Sequence, residues 1–118
     1  MAPRATQFGV RQSARKMRLV IDQIRGQNVN DAYALLKFSK KRAATQIEKV
    51  LRSAVANAEQ DAQRDNTAFD VDALYVAHAV INEGQTLKRF AAAAQGRGTP
   101  IHKRTSIIEI RVAPKKEA

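Results

Sequence analysis

Lys88, Arg89, Arg97, Lys103 and Arg104 lie in a run from Gln85 to Ser106 that holds no acidic residue, and they carry half of the chain's formal net charge of +10. Guanidinium and ammonium groups bind phosphate oxygens through charge-assisted hydrogen bonds, bidentate for arginine. A second acid-free stretch, residues 1–18, carries Arg4, Arg11, Arg15, Lys16 and Arg18, and Lys40, Lys41 and Arg42 form a third basic group. From Glu59 to Asp72 the sign reverses: five acids stand against Arg64 alone. Three basic patches and one acidic segment imply a protein that meets a polyanion with one side.

Other chemistry has little to stand on. His78 and His102 are the only histidines, cysteine is absent, and neither histidine has a nucleophile, carboxylate or second metal ligand at a recognisable spacing. His78 reads as a strand histidine and His102 as a base or phosphate contact in the basic run. Gly96-Arg97-Gly98 lacks the lysine and the strand–loop–helix context of a phosphate loop. Asp70 and Asp72 read as solubilising loop residues. No enzyme, cofactor or metal is expected.

The elements that must position the cations follow from composition and period. A chain of 118 residues with 44% hydrophobic residues fits one domain with a modest core, built from aliphatic residues because aromatics are only 5%. Without cysteine, a membrane-length apolar run or the apolar core of a secretory signal, the chain is expected in the cytoplasm. Residues Thr6–Val10 have weak strand character. Ser13 is placed to cap a helix carrying Met17, Val20, Ile21 and Ile24, with Gly26 to end it. Arg11, Arg15, Arg18 and Arg25 fall on its opposite side.

Asn30 is expected to cap a short second helix with Ala32, Leu35 and Leu36 inward, and Ser39 to open a long third helix over Lys40 to Asp61. Its stripe is Ala43, Ile47, Val50, Leu51, Ala54, Val55 and Ala58. Cations in the first turn oppose the helix dipole by ~0.3–1 kcal/mol each, a penalty that a docked phosphate would reverse. Leu74 to Ile81 and Ser106 to Val112 read as half-buried strands, and pairing Leu74 with Val112 centres a hairpin near Ala93. Ten or so residues per arm beyond the packed sheet, at ~3.3 Å each, reach about 30–35 Å.

On residues alone, the alternatives to an RNA-binding protein are an architectural DNA-binding dimer and a cationic membrane-surface protein. The first would embrace a duplex with two ribbon arms, Pro100 or Ile101 wedging its bases. The second is disfavoured because the cations are spread over helices, strands and loops rather than along one amphipathic helix.

Two stretches carry a family resemblance: Ser13-Ala-Arg-Lys-Met-Arg-Leu-Val-Ile-Asp-Gln-Ile-Arg-Gly26, and Glu83-Gly-Gln-Thr-Leu-Lys-Arg-Phe90 with Ala94-Gln-Gly-Arg97 and Lys103-Arg-Thr-Ser106. With the run through Ala43 to Ala58, they make nearly the whole chain resemble large-subunit ribosomal protein twenty-two of bacterial type. The resemblance implies an α+β fold, three helices packed on a small three-stranded antiparallel sheet with a long protruding β-hairpin. It implies one ribosomal RNA-binding domain over 1–118, the hairpin at about 84–106 and a short basic tail at 113–118.

By the same resemblance the globular part lies near the mouth of the polypeptide exit tunnel, the hairpin lines the tunnel wall, and the protein supports subunit assembly. Its partners would be large-subunit ribosomal RNA, neighbouring ribosomal proteins and, at the hairpin tip, the nascent polypeptide; no membrane and no obligate homo-oligomer are implied. The expected RNA contacts are Arg4, Arg11, Arg15, Lys16, Arg18, Lys40, Lys41, Arg42, Lys88, Arg89, Arg97, His102, Lys103 and Arg104. The expected tip is Phe90, Ala91, Ala92, Ala93, Ala94, Gln95 and Gly96. Family members usually carry further arginine, and often proline, just after the position of Phe90; here Ala91 to Ala94 stand instead.

Overall fold

The computed structural model describes residues 3–92 and 98–114, and for 87–92 and 98–102 the backbone only. The order is β1 (Arg4–Val10), α1 (Ala14–Ile24), α2 (Val29–Phe38), α3 (Arg42–Arg64), a 3₁₀ turn (Val71–Ala73), β2 (Leu74–Glu83), β3 (Leu87–Ala92), β4 (Gly98–Lys103) and β5 (Ser106–Pro114). An antiparallel sheet in the order β1-β5-β2 carries the three helices on one face, and β3 pairs with β4 in a separate ladder. Among the described residues no helix is long and apolar enough to cross a membrane.

Strand period builds the core's floor. In β5, Ser106, Ile108, Ile110 and Val112 are buried while the residues between them are half-buried. In β2 the phase slips. Leu74 and Val76 point inward, a bulge follows between Val76 and His78, and Ala79 and Ile81 then take the inward places. The bulge turns His78 away from the core face. The register differs from the expectation on both sides of the bulge: Leu74 lies opposite Pro114, not Val112, and β3–β4 pairing from Leu87↔Lys103 to Ala92↔Gly98 centres the hairpin on about residue 95 rather than Ala93. Ala113 and Pro114 thereby belong to β5 rather than to a tail, while 115–118 lie outside the described residues.

The helices close the core with Met17, Ile21 and Ile24 from α1, Val29, Ala32 and Leu36 from α2, and Ala43, Ala44, Ile47, Val50, Leu51, Ala54 and Ala58 from α3. The alanines let α3 lie close on β1 and β5. Two helix junctions differ from the expectation, and one expected cap lacks its side-chain bond. Ser13 is the N-cap position of α1 but makes no side-chain capping bond. Asn28, not Asn30, caps α2, its Oδ1 accepting the Asn30 N–H at 2.9 Å. That earlier start puts Val29, Ala32 and Leu36 on one face and leaves Leu35 exposed. Ser39 ends α2, so α3 begins at Arg42 and runs on to Arg64, taking in the first half of the acidic segment. Gly26, at φ 80°, ends α1 as expected; that left-handed conformation strains any residue with a Cβ.

Compactness scaling gives a 118-residue globule a radius of gyration of about 13–14 Å. The observed value is 17.8 Å, and the excess lies along one axis, 66 Å against 28 and 21 Å. β3 and β4 make their contacts chiefly with each other, so that ladder accounts for the length.

Candidate nucleic-acid interface

The direction of each element sorts the charges. Asn57 Nδ2 donates to the Arg4 carbonyl at 2.8 Å and Gln7 Nε2 lies 3.4 Å from Gln46 Oε1, so α3 runs antiparallel to β1 and starts at the Val10 end. α1 runs from the Ile81 end of β2 toward Val76. α2 starts beside Asp72 and Tyr75 and leads the chain back to the start of α3. Val10 and Glu83 both pair with Ser106, so that end of the sheet also holds the starts of α1 and α3. Arg11, Arg15, Lys16, Lys40, Lys41, Arg42, Lys103 and Arg104 gather there, all exposed. Among the described residues none of these eight pairs with an acid within 4 Å.

The opposite end is of mixed charge and holds the acidic segment. Asp61, Asp65 and Asp70 line one groove together with Arg4, Arg64 and Arg111, and Arg64 reaches Asp61 at 3.2 Å and Asp65 at 3.7 Å. Arg4 belongs to this end: it lines the same groove and lies 3.9 Å from Glu109. Its place in the sequence beside the other N-terminal arginines does not put it beside them in space.

Arg18 has a different partner. Its Nε and Nη2 donate to the Ile81 carbonyl at 3.2 and 2.9 Å, and Arg25, two turns on, donates likewise to the Ala79 carbonyl at 3.0 and 2.7 Å. β2 is an edge strand, and these carbonyls point away from β5. Farther along, Val76 exchanges backbone bonds with Gly26 and Gln27. The free edge is thus capped from Val76 to Ile81, which blocks pairing with another chain. Arg11 precedes α1 rather than lying on it. Of the three cations expected in the first turn of α3, only Arg42 is helical; Lys41 is the N-cap, and its N–H donates to Ser39 Oγ at 3.2 Å.

Sequence reasoning missed the neck from which β3 and β4 leave the body. Thr105 and Ser106 are buried; the Thr105 hydroxyl donates to the Gln85 carbonyl and the Ser106 hydroxyl to that of Gln12. A Cβ on Gly84 would stand 2.7 Å from Thr105 Oγ1, so only glycine fits between the two strands there. These bonds fix the ladder's exit at the basic end. Nothing in the residue types Thr-Ser signals burial. For Lys88, Arg89, Phe90, Ala91, Ala92 and His102 the ladder gives backbone pairing; Arg97, Ala93, Ala94, Gln95 and Gly96 lie outside the described residues.

The fold is a two-layer α+β domain with cations massed at one end and a paired ribbon leaving from that end, a charge arrangement suited to a polyanion. Residues 5–113 match the family model for ribosomal protein L22p/L17e. The chain is 53% identical over 112 residues to the large ribosomal subunit protein uL22 of Ligilactobacillus salivarius, covering 95% of this chain and 93% of that one. To the uL22 of Clostridium novyi it is 51% identical over 93% of this chain and 95% of that one. To the uL22 of Oceanobacillus iheyensis it is 47% identical over 99% of each. The chain belongs to the ribosomal protein L22p/L17e family, of bacterial type. It is a structural protein of the large ribosomal subunit and not an enzyme.

Proposed function

We propose that the basic end binds large-subunit ribosomal RNA and that the opposite end faces away from it. The segregation of charge carries this reading: eight exposed cations, none paired with an acid among the described residues, converge from the starts of α1 and α3, the segments just before them and the neck, although they are scattered from residue 11 to 104. Arginines and lysines would hold phosphates there, fixing position with little direct reading of bases. Lys88, Arg89, Arg97 and His102 would extend the contact along the ribbon.

In keeping with the family resemblance, the globular part would lie near the exit-tunnel mouth and the ribbon along the tunnel wall, where its alanine-rich tip would meet the nascent polypeptide. The 66 Å long axis supports this reading, since the ribbon can reach well past the body. Binding would thread RNA segments together and so support subunit assembly in the cytoplasmic ribosome, beside neighbouring ribosomal proteins.

Filter binding to deproteinised large-subunit RNA across a salt series tests the RNA contact. With six to eight phosphates neutralised, log K falls with log salt at a slope of about −4 to −7. A slope near zero, or equal affinity for random-sequence duplex DNA, refutes it. Protection of tunnel-wall nucleotides in assembled subunits, lost on deleting residues 87–102, tests the placement.

A further inference from the structure

The ribbon does not continue the body's ladder in register. β2 and β5 end on the pair Glu83↔Ser106, and β3 and β4 begin on Leu87↔Lys103. Gly84, Gln85 and Thr86 therefore stand against only Arg104 and Thr105, one residue more on the outgoing side. An extra residue on one strand bends the pair and adds twist, so this bulge sets where the ribbon points. It also breaks the alternation of a strand: Thr105 and Ser106 are adjacent and both buried.

Two hydroxyls hold the bend. The carbonyl of Gln85, the middle residue of the longer side, takes its hydrogen bond from the Thr105 hydroxyl, while the Gly84 N–H donates to the Thr105 carbonyl at 2.9 Å. The Ser106 hydroxyl reaches the Gln12 carbonyl, in the turn between β1 and α1. That turn carries Arg11, and Arg104 directly precedes Thr105; both arginines are exposed. The bonded backbone thus joins cations of the body to cations of the ribbon in a fixed relation. An arm free to swing would have to be ordered on binding, which lowers affinity; a held arm is ordered beforehand.

We propose that Thr105 and Ser106 are positioning residues. Without touching RNA themselves, they lock the bulge at the neck and present ribbon and body to the RNA as one preformed surface. The proposal deepens the ribosomal RNA reading above and rests on it.

The test pairs residual dipolar couplings of the free full chain with filter binding to deproteinised large-subunit RNA, and circular dichroism shows that each variant is folded. In wild type and in Thr105→Ser, which keeps the hydroxyl, backbone amides of 87–92 and 98–103 should fit the body's alignment tensor. In Thr105→Val they should depart from it, and affinity should fall about 3- to 10-fold, the worth of one hydrogen bond. The salt slope should stay unchanged, because the same phosphates are neutralised. Ser106→Ala should instead release the amides of 11–13, with a similar loss of affinity. Ribbon couplings that still fit the body's tensor in Thr105→Val, wild-type affinity in that variant, or binding by Thr105→Ser as weak as by Thr105→Val overturns the lock and leaves the RNA reading intact. A wild-type chain that does not bind the RNA overturns both.

Discussion

Removing the arginine clamp on β2 separates a structural cation from a binding one. Arg18 and Arg25 stand two helical turns apart, about 10.5 Å along α1, and their target carbonyls about 7 Å apart along β2. Each guanidinium gives two hydrogen bonds to one backbone oxygen, at 2.7–3.2 Å. A hydrogen bond from a charged donor contributes roughly 1.5–3 kcal/mol when buried. Both side chains are exposed along part of their length, so solvent screening leaves about 1 kcal/mol for each. The Arg25–Asp22 ion pair at 2.9 Å adds little, because both partners are about half exposed.

Arg18→Ala and Arg25→Ala should each lose about 1 kcal/mol, and the double variant about 2 kcal/mol, since the two share no partner. In urea unfolding followed by circular dichroism, each step lowers the midpoint by about 0.5–1 M. Arg18→Lys should recover less than half of the loss, because an ammonium cannot reproduce the planar fork. Arg15→Ala, one turn before Arg18 but with no partner among the described residues, should keep its midpoint and lose RNA affinity instead. A clamp of this strength is refuted if Arg18→Ala unfolds within about 0.3 kcal/mol of wild type, or if Arg15→Ala is the more destabilised of the two.

Replacing residues 87–102 with two glycines should leave the midpoint of thermal unfolding within a few degrees, because Leu87 pairs with Lys103 at the base of the ladder and the core is built elsewhere; loss of cooperative unfolding would refute the assignment of the ladder. Gly26→Ala should destabilise by about 1–2 kcal/mol in the same urea assay, a purely conformational effect since nothing lies within 4 Å of the added Cβ. Burial pushes the Tyr33 phenol up from its usual value near 10, with Arg52 opposing and Glu48 assisting. The folded state therefore binds that proton more tightly than the unfolded one. Stability present below about pH 10 should fall as pH rises through the folded value, and Tyr33→Phe should flatten that fall.

Element identity was legible wherever one period ran unbroken. Met17, Val20, Ile21 and Ile24, the Ala43-to-Ala58 stripe, and Ile108, Ile110 and Val112 take the faces their spacing requires, because a helix or strand repeats its environment at a fixed interval whatever it packs against. Element ends were less legible. Asn28 and Asn30 are equally good caps in isolation, and burial of Val29 selects the first. The register of β2 was not legible at all: no residue type announces the bulge beside Ala77, which lets Ala79 and Ile81 reach the core.

The same division holds for the interface. Composition alone determined the excess of cations that suggests a polyanionic partner, since net charge is a sum that folding cannot change. Position in the chain then grouped the cations by neighbourhood, as Arg4 to Arg18, Lys40 to Arg42 and the ribbon. Tertiary structure regrouped them. Because α3 runs antiparallel to β1, Arg4 falls among the acids of the far end, while Arg11, Arg42 and Lys103 are brought together. Because β2 is an edge strand with unpaired carbonyls, Arg18 turns inward to cap it. Charge is a property of the residue, but which charges remain free for an external partner depends on the backbone groups and acids that the fold places beside them.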